Sequence, residues 1–373
     1  MTEVTPRIAI FYGFLGGGGI ERVITNLARS LTERGLKVDL VLSNAGEGSH
    51  LWLVPPEVRI VDLGVRRLFM SLPSLMGYLR RERPVSLLSA GHYCNEVALL
   101  AKRLSGVSTR VVVSEHNQLS QVTQHAARLK ERLTPLIAGR FYPWADGIVA
   151  VSQGVAKDLA SMTGLPLERI QVIYNPVILP ELSERVKEAV DHPWFAPGQP
   201  PVILGVGKLE EQKDFPNLIR AFAQVRRVRQ ARLVILGWGP EPGPSQLKNL
   251  VRELGLEDDV DLPGHVKNPF AYMARASVFV LSSAWEGLPT VLIEAMAVGV
   301  PVVSTDCESG PAEILDNGKY GSLTPVGDSN ALAEAILNTL SGKSKGVAPA
   351  WLDQFSLSAA TQQYLNILGL AQV

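Results

Sequence analysis

The sequence predicts an α/β protein of two doubly wound, Rossmann-like domains facing across a cleft, and three observations carry that expectation. The chain has 373 residues, 46% of them hydrophobic and 19% charged, which is enough for two domains that each bury a core. Short β-branched runs alternate with amphipathic stretches, as parallel strands joined by helices do. The series stops near residue 176 at a proline-rich segment and then starts again.

In chain order, RIAIFYG, KVDLVLS, VSLLSA, RVVVSEH and GIVAVS read as buried parallel strands, and ERVITNLARSLTERG and GVAKDLASMTG as helices between them. The segment NPVILPELSERVKEAVDHPWFAPGQPP lacks a strand pattern and reads as the linker. PVILGVG, ARLVILG, DLPGHV, VFVLSS and PVVSTD form the second series, with helices such as NLIRAFAQVRRV and PTVLIEAMAVG between them. Residues 1–175 are thereby assigned to the first domain and 176–349 to the second. A single helical stretch, about 350–373, could dock on either.

Bulk properties narrow the function. No apolar stretch reaches the roughly 18 to 20 residues of a spanning helix, and Met1–Ile10 lacks the basic-then-apolar layout of a signal peptide, so a cytoplasmic protein is expected. Cys94 and Cys307 stand far apart with no partner motif and read as free thiols. Net charge is zero, which argues against nucleic acid as a partner. The halves nevertheless differ: residues 1–175 carry 20 Lys+Arg against 14 Asp+Glu, or +6, and the remainder carries −6. Much of the basic excess lies in VRRLFMSLPSLMGYLRRERP and RLKERLTPLIAGRFYP, which mix Arg and Lys with large apolar residues. Such segments suit an interfacial helix at the inner membrane surface or, equally, a solvated helix face over an ordinary core stripe.

Four motifs fall at strand ends, where open α/β sheets bind ligands. Gly16–Gly19 follow the first strand and would let backbone N–H groups approach a phosphate at a helix start; a turn that merely permits close packing is the alternative. A dinucleotide fingerprint does not fit, since the spacing is not G-x-G-x-x-G and the second strand ends in Ser43-Asn44. His116 ends the strand RVVVSEH, with Glu115 beside it to orient it; His92 is a weaker candidate at a similar place. Lys208 and Lys213 precede a helix start and would clamp a diphosphate, although Glu210, Glu211 and Asp214 among them also fit an exposed charged loop.

The fourth motif is EGLPTVLIEAMAVG. Pro289 suits a helix start and Gly299 a C′ position, so the helix runs from about Pro289 to Val298. Glu286 then lies ahead of the helix and Glu294 about five residues in, some 7 to 8 Å further along the axis at ~1.5 Å per residue. They are too far apart for a paired acid and base. They can flank a bound molecule whose anionic part meets the N–H groups of Gly287, Leu288 and Thr290. Apolar residues surround Glu294, so its carboxylate needs partners, either ribose hydroxyls or a structural salt bridge.

These residues resemble the retaining glycosyltransferases of the GT-B fold, specifically glycosyltransferase family 4. The resemblance covers nearly the whole chain, through the glycine-rich first loop, VSEHN, IVAVSQGVAKDL, VIYNPV, GVGKLEEQKDF, LVILGWGPE, SSAWEGLPTVLIEA and STDCESGPAEIL. The E-x(7)-E segment with a basic loop upstream is its specific part. It implies an enzyme that moves a sugar from a nucleotide-sugar donor, with uridine as the base, to a glycan or polyprenyl-diphosphate-linked acceptor in polysaccharide or glycolipid assembly, forming an α-glycosidic bond.

It further implies that Lys208 and Lys213 hold the diphosphate, Glu294 the ribose and Glu286 the transferred sugar. Main-chain groups of Gly287, Leu288 and Thr290 would touch the phosphates or sugar, and those near His265 and Val266 the base. Gly17 and Gly18 would approach the diphosphate from the first domain, His116 would stand near the sugar and acceptor, and the final helix would return to the first domain. No metal or other cofactor is implied. Lys208 departs from the arginine usual in the family, which replaces a bidentate fork by a point charge. Two other classes use the same layout: a sugar-nucleotide epimerase, which needs no acceptor, and a noncatalytic nucleotide-sugar-binding protein.

Overall fold

The computed structural model describes residues 6–16, 18–46, 50–124, 132–343 and 345–371. The chain divides into two compact units, Met1–Val177 with Gln354–Val373, and Ile178–Asp353. Both are parallel sheets of the Rossmann kind.

The first unit's strands are β1 Arg7–Tyr12, β2 Lys37–Leu42, β3 Arg59–Asp62, β4 Ser86–Ala90, β5 Arg110–Glu115, β6 Gly147–Ala150 and β7 Ile170–Val172, in the spatial order β3-β2-β1-β4-β5-β6-β7. Every pairing is parallel. The central strands are apolar on both faces because helices cover both, so they read as continuous runs. β3 and β7 are outermost, and their short, partly polar sequences RIVD and IQV carry no run of that kind.

The helices used below are α1 Gly19–Glu33, α2 Leu72–Glu82, α3 His92–Ser105, α4 Leu119–Gln124, α5 Thr134–Phe141 and α6 Gln153–Thr163. Local chemistry sets their limits. Ser152 Oγ accepts from Val155 N–H at the start of α6, and Gly164 closes it in the left-handed region that a side chain disfavours. Gln354–Val373 complete this unit: a helix at Leu357–Ile367 contributes Ala360, Tyr364 and Leu365 to the same core as Ile24, Leu27 and Leu31 of α1. Thr361 Oγ1 donates to Ser30 Oγ (3.0 Å) and Ser86 Oγ to the Leu368 carbonyl (2.6 Å).

One buried charge anchors the amino end of this sheet. Asp39 of β2 lies opposite Arg59 of β3 and accepts from Arg7 Nη1 (2.7 Å), Arg59 Nε (2.9 Å) and Nη2 (2.5 Å), and Tyr78 Oη (2.7 Å). Its side chain is 1% exposed, so three partners replace water around one carboxylate.

The second unit carries β8 Val202–Val206, β9 Arg232–Leu236, β10 Val260–Gly264, β11 Val278–Leu281, β12 Val302–Thr305 and β13 Ser322–Thr324, ordered β10-β9-β8-β11-β12-β13 and again parallel. Its longer helices are α7 Phe215–Val228, α8 Gly243–Glu253, α9 Thr290–Ala297 and α10 Ser329–Leu340. Asp214 caps α7 by accepting from Asn217 N–H, and Asp328 caps α10 by accepting from Asn330 and Ala331 N–H.

Candidate active site

In the second unit two of the sequence-predicted residues, Lys213 and Glu286, meet beyond the carboxyl ends of β8 and β11. Lys213 sits in a single turn of 3-10 helix, Glu211–Lys213, just before α7, and Glu286 in the loop between β11 and α9. The structure brings the two together: Lys213 Nζ lies 2.5 Å from Glu286 Oε1, with side chains 16% and 6% exposed. Ser283 Oγ donates to the same oxygen (2.7 Å), and Gln212 Nε2 donates to Glu286 Oε2 (3.3 Å) and to the Trp285 carbonyl (3.0 Å). Ser282 Oγ and Ala284 N–H bond back to the carbonyls of Lys213 and Gln212. The carboxylate is thus fixed by three side chains from two loops that are stitched to each other.

Gln212 and Ser283 were not expected from the sequence. Gln212 reaches partners 73 and 74 residues away, which leaves no local pattern, and Ser283 bonds Glu286 three residues on in a loop whose path the sequence does not reveal.

Residues 287–289 are braced from the far side. Ser309 Oγ donates to the Gly287 carbonyl (2.7 Å), and a Cβ on Gly310, whose φ is +97°, would lie 2.4 Å from Pro289 Cδ. Gly287 and Leu288 are buried and Thr290 half-buried as the first residue of α9. Pro289 is the N-cap rather than the first helical residue, and no side chain caps this helix. Glu294 lies in the middle of α9, 4% exposed, among buried Leu292, Ile293, Ala295 and Met296. Cys307 is buried nearby; burial and then the Glu286 charge push its thiol up to about 12, so it stays an inert thiol.

Lys208 does not join the Glu286 pair. It is exposed after β8, its ammonium 5.8 Å from the centroid of the Trp238 ring. His265 is exposed and Val266 half-buried after β10. Among the described residues, no three His, Cys, Asp or Glu side chains gather into a metal-binding group.

The first unit holds the remaining candidates. Gly17 lies outside the described residues. Gly18 is the N-cap of α1, without a side-chain cap, and Glu21 lies in the first turn. None of Gly16, Gly18 and Gly19 has a positive φ. A Cβ on Gly16 would meet only ordinary contacts, one on Gly18 only the mobile end of Glu21, and one on Gly19 nothing within 4 Å. Packing inside the chain therefore does not call for glycine here.

His116 follows β5 directly, as the sequence indicates, but Glu115 does not orient it. Successive strand residues point to opposite faces, so His116 shares a face with Ser114, whose Oγ lies 2.6 Å from its Nε2. Burial drives this imidazole down to about 4, which keeps it neutral near pH 7. Nδ1 has no partner among the described residues. His92 opens α3 behind β4, its ring 4.0 Å from that of Tyr93.

Glu115 instead turns inward, accepting from Tyr142 Oη and from Asn95 Nδ2 (3.0 Å). Burial pushes its carboxyl up to about 8, and that of Glu96 on α3, which has no hydrogen-bond partner among the described residues, up to about 7. A carboxyl raised above its unfolded value of 4.5 holds its proton longer in the folded state. Its contribution to stability is complete below that value and is lost as pH rises through 7 and 8. His116, lowered from 6.5, acts in the opposite sense only below 6.5. Unfolding stability should therefore fall by roughly 2–3 kcal/mol between pH 6.5 and 8.5. Urea midpoints across that range test this, and Glu115→Gln should remove more than half of the slope. A wild-type midpoint that rises with pH would refute the assignment.

Comparison with known proteins follows the same division of the chain. Residues 17–179 match the family described as Glycosyltransferase Family 4, and residues 186–348 match Glycosyl transferases group 1. The chain is 30% identical over 345 residues to the N-acetylgalactosamine-N,N'-diacetylbacillosaminyl-diphospho-undecaprenol 4-alpha-N-acetylgalactosaminyltransferase of Campylobacter jejuni, covering 90% of each chain. It is 29% identical to the amylovoran biosynthesis glycosyltransferase AmsD of Erwinia amylovora, covering 88% of each. Among solved structures, it resembles Anabaena HepE in complex with UDP and glucose, with a TM-score of 0.78, 22% identity and 97% and 99% coverage.

Proposed function

The chain belongs to glycosyltransferase family 4 and is a glycosyltransferase of the GT-B fold acting in polysaccharide or glycolipid biosynthesis, and from that premise we propose its donor, acceptor and stereochemistry. It transfers a sugar from a UDP-sugar, with retention, to a glycan or polyprenyl-diphosphate-linked acceptor, forming an α-glycosidic bond. The observation that carries this reading is the pair of buried Glu286 and half-buried Lys213 ahead of the uncapped start of α9, with Glu294 deeper on the same helix.

In this reading Glu286 accepts hydrogen bonds from the sugar hydroxyls and Glu294 from the ribose. Lys208, Lys213 and the first-turn N–H groups of α9 stabilise the negative charge that grows on the leaving diphosphate. The bond from the anomeric carbon to the phosphate oxygen breaks while the acceptor oxygen bonds to that carbon on the same face, and the acceptor proton passes to the departing phosphate. From the first unit, the roles proposed are main-chain N–H groups of Gly17 and Gly18 for the diphosphate and Nδ1 of neutral His116 for the sugar or acceptor. Backbone groups near His265 and Val266 take the base. With two ammonium groups supplying the charge, turnover needs no metal and survives a chelator.

A lipid-linked acceptor is supported by the surface of the first unit. The predicted basic segments include α2 and α5; Arg128 to Glu131 lie outside the described residues. Phe69 and Met70 are exposed just before α2 and Leu136 is exposed on α5, near Arg66, Arg67 and Arg140 in the sequence. No described helix is long and apolar enough to cross a membrane, so contact of this kind would be peripheral, at the cytoplasmic face. The Campylobacter relative is named for a diphospho-undecaprenol-linked acceptor, and the HepE structure contains UDP, which support the same choice of partners.

The test is a thermal-shift screen of nucleotide sugars, then transfer from the best ligand to a polyprenyl-diphosphate glycan, in EDTA, with the anomer read by NMR. An α-linked product from an α-linked donor is expected. A β-linked product would overturn retention, and donor conversion without acceptor would indicate an epimerase.

A further inference from the structure

Trp238 has no role in the reading above, yet it is half exposed, at 51%, on the loop that leaves β9. The backbone that carries this ring is held in place. Leu209 N–H donates to the Trp238 carbonyl (2.8 Å), Gly207 N–H to the Leu236 carbonyl (3.0 Å) and Gly237 N–H to the Gly264 carbonyl (2.9 Å), so three neighbouring strand ends are tied into one edge. The backbones approach so closely that a Cβ on Gly237, at φ +152°, would fall 1.8 Å from the Gly207 oxygen. A Cβ on Gly239 or Gly243 would fall 2.5 Å from the Leu209 oxygen. Glycine is required at these points so that the loop can lie against the lysine loop, which fixes where the backbone of Trp238 runs.

The order along the sheet edge matters. With β10, β9 and β8 adjacent, Trp238 lies between the ends that carry His265 and Lys208. The Lys208 ammonium stands over its ring at 5.8 Å. A flat aromatic beside a phosphate-binding cation meets the part of a nucleoside diphosphate that is itself flat.

Resting on the donor reading above, we propose that Trp238 is the stacking platform for the nucleobase of the donor, and that Lys208 couples this ring to the diphosphate. Stacking of a base on an aromatic side chain implies a loss of about 5-fold to 160-fold in affinity when the ring is removed. It favours any base face, so the ring sets affinity and the neighbouring backbone sets which base fits.

Calorimetric titration of wild type, Trp238→Ala, Trp238→Phe and Lys208→Ala with UDP, UDP-glucose and inorganic pyrophosphate tests this. Trp238→Ala should weaken UDP and UDP-glucose by the same factor of at least about 5, leave pyrophosphate unchanged and melt at the wild-type temperature, while Trp238→Phe keeps most of the affinity. UDP should quench indole fluorescence in wild type, and that quench should largely vanish in Trp238→Phe. Weakening of UDP-glucose alone would place the ring under the sugar and overturn the proposal. Unchanged binding in Trp238→Ala with weakened binding in Lys208→Ala would overturn it while leaving the donor reading intact. Absence of UDP and UDP-glucose binding to wild type would overturn both.

Discussion

Lys213→Ala should lower kcat by about 100- to 1,000-fold at saturating donor, the range seen when one preorganised charge-stabilising group is removed. Two effects coincide in that variant. On the proposed donor reading the leaving diphosphate would lose an ammonium, and Glu286, 6% exposed, loses the cation 2.5 Å from its Oε1. Ser283 and Gln212 still donate to the carboxylate, so it keeps part of its solvation and the loop should hold its place.

The pairing also changes how the two residues are counted. Each was expected to serve a different part of the donor, yet they form one electrostatic unit, so Glu286→Gln and Lys213→Ala should not be additive. Combined, they should cost much less than the product of the single effects. An additive double variant would mean that the pair separates before the rate-limiting step. Intact turnover in Lys213→Ala at saturating donor would remove this residue from the leaving-group account altogether.

Asp39→Asn should destabilise the first unit by about 1–3 kcal/mol: a buried carboxylate loses its charge-assisted hydrogen bonds, while Arg7 and Arg59, 28% and 46% exposed, recover part of the loss from water. For a unit of this size each kcal/mol moves Tm by about 2–4 °C, so a fall of roughly 5 °C is expected in calorimetry. Tyr78, whose hydroxyl donates to Asp39 and whose ionisation burial and that charge push upward, would keep a partner in the amide oxygen. A shift of less than 2 °C would show that water reaches the cluster and screens it.

Much of this architecture is legible in the sequence, for a physical reason. Strands buried on both faces announce themselves as apolar runs, and the nine central ones do so; β10, an edge strand of sequence VDLPG, is marked only in part, by DLPGHV. β3, β7 and β13 do not, because each closes the edge of a sheet with only three or four residues. Glu286 and Glu294 can be spaced from helix geometry because they are near neighbours in the chain. The ion pair of Glu286 with Lys213, 73 residues away, is a tertiary contact and leaves no local pattern. The case of His116 is instructive: adjacency to Glu115 suggested partnership, whereas the pleat turns neighbours apart and joins residues two positions away. Trp238 is a lone aromatic in a loop, and only the backbone contacts around it give it meaning.

The path of the chain has an engineering consequence. Since Gln354–Val373 supply core residues to the unit that begins the sequence, residues 178–353 are an internal cassette rather than a carboxyl-terminal half. Recombining two relatives at a single crossover near residue 177 would pair each first sheet with a foreign helix Leu357–Ile367, and with mismatched partners for Ser30, Ser86 and Arg110. Exchange at two crossovers, after Val177 and before Gln354, keeps that helix with its own sheet. Chimaeras built to swap sugar specificity should therefore be made as insertions.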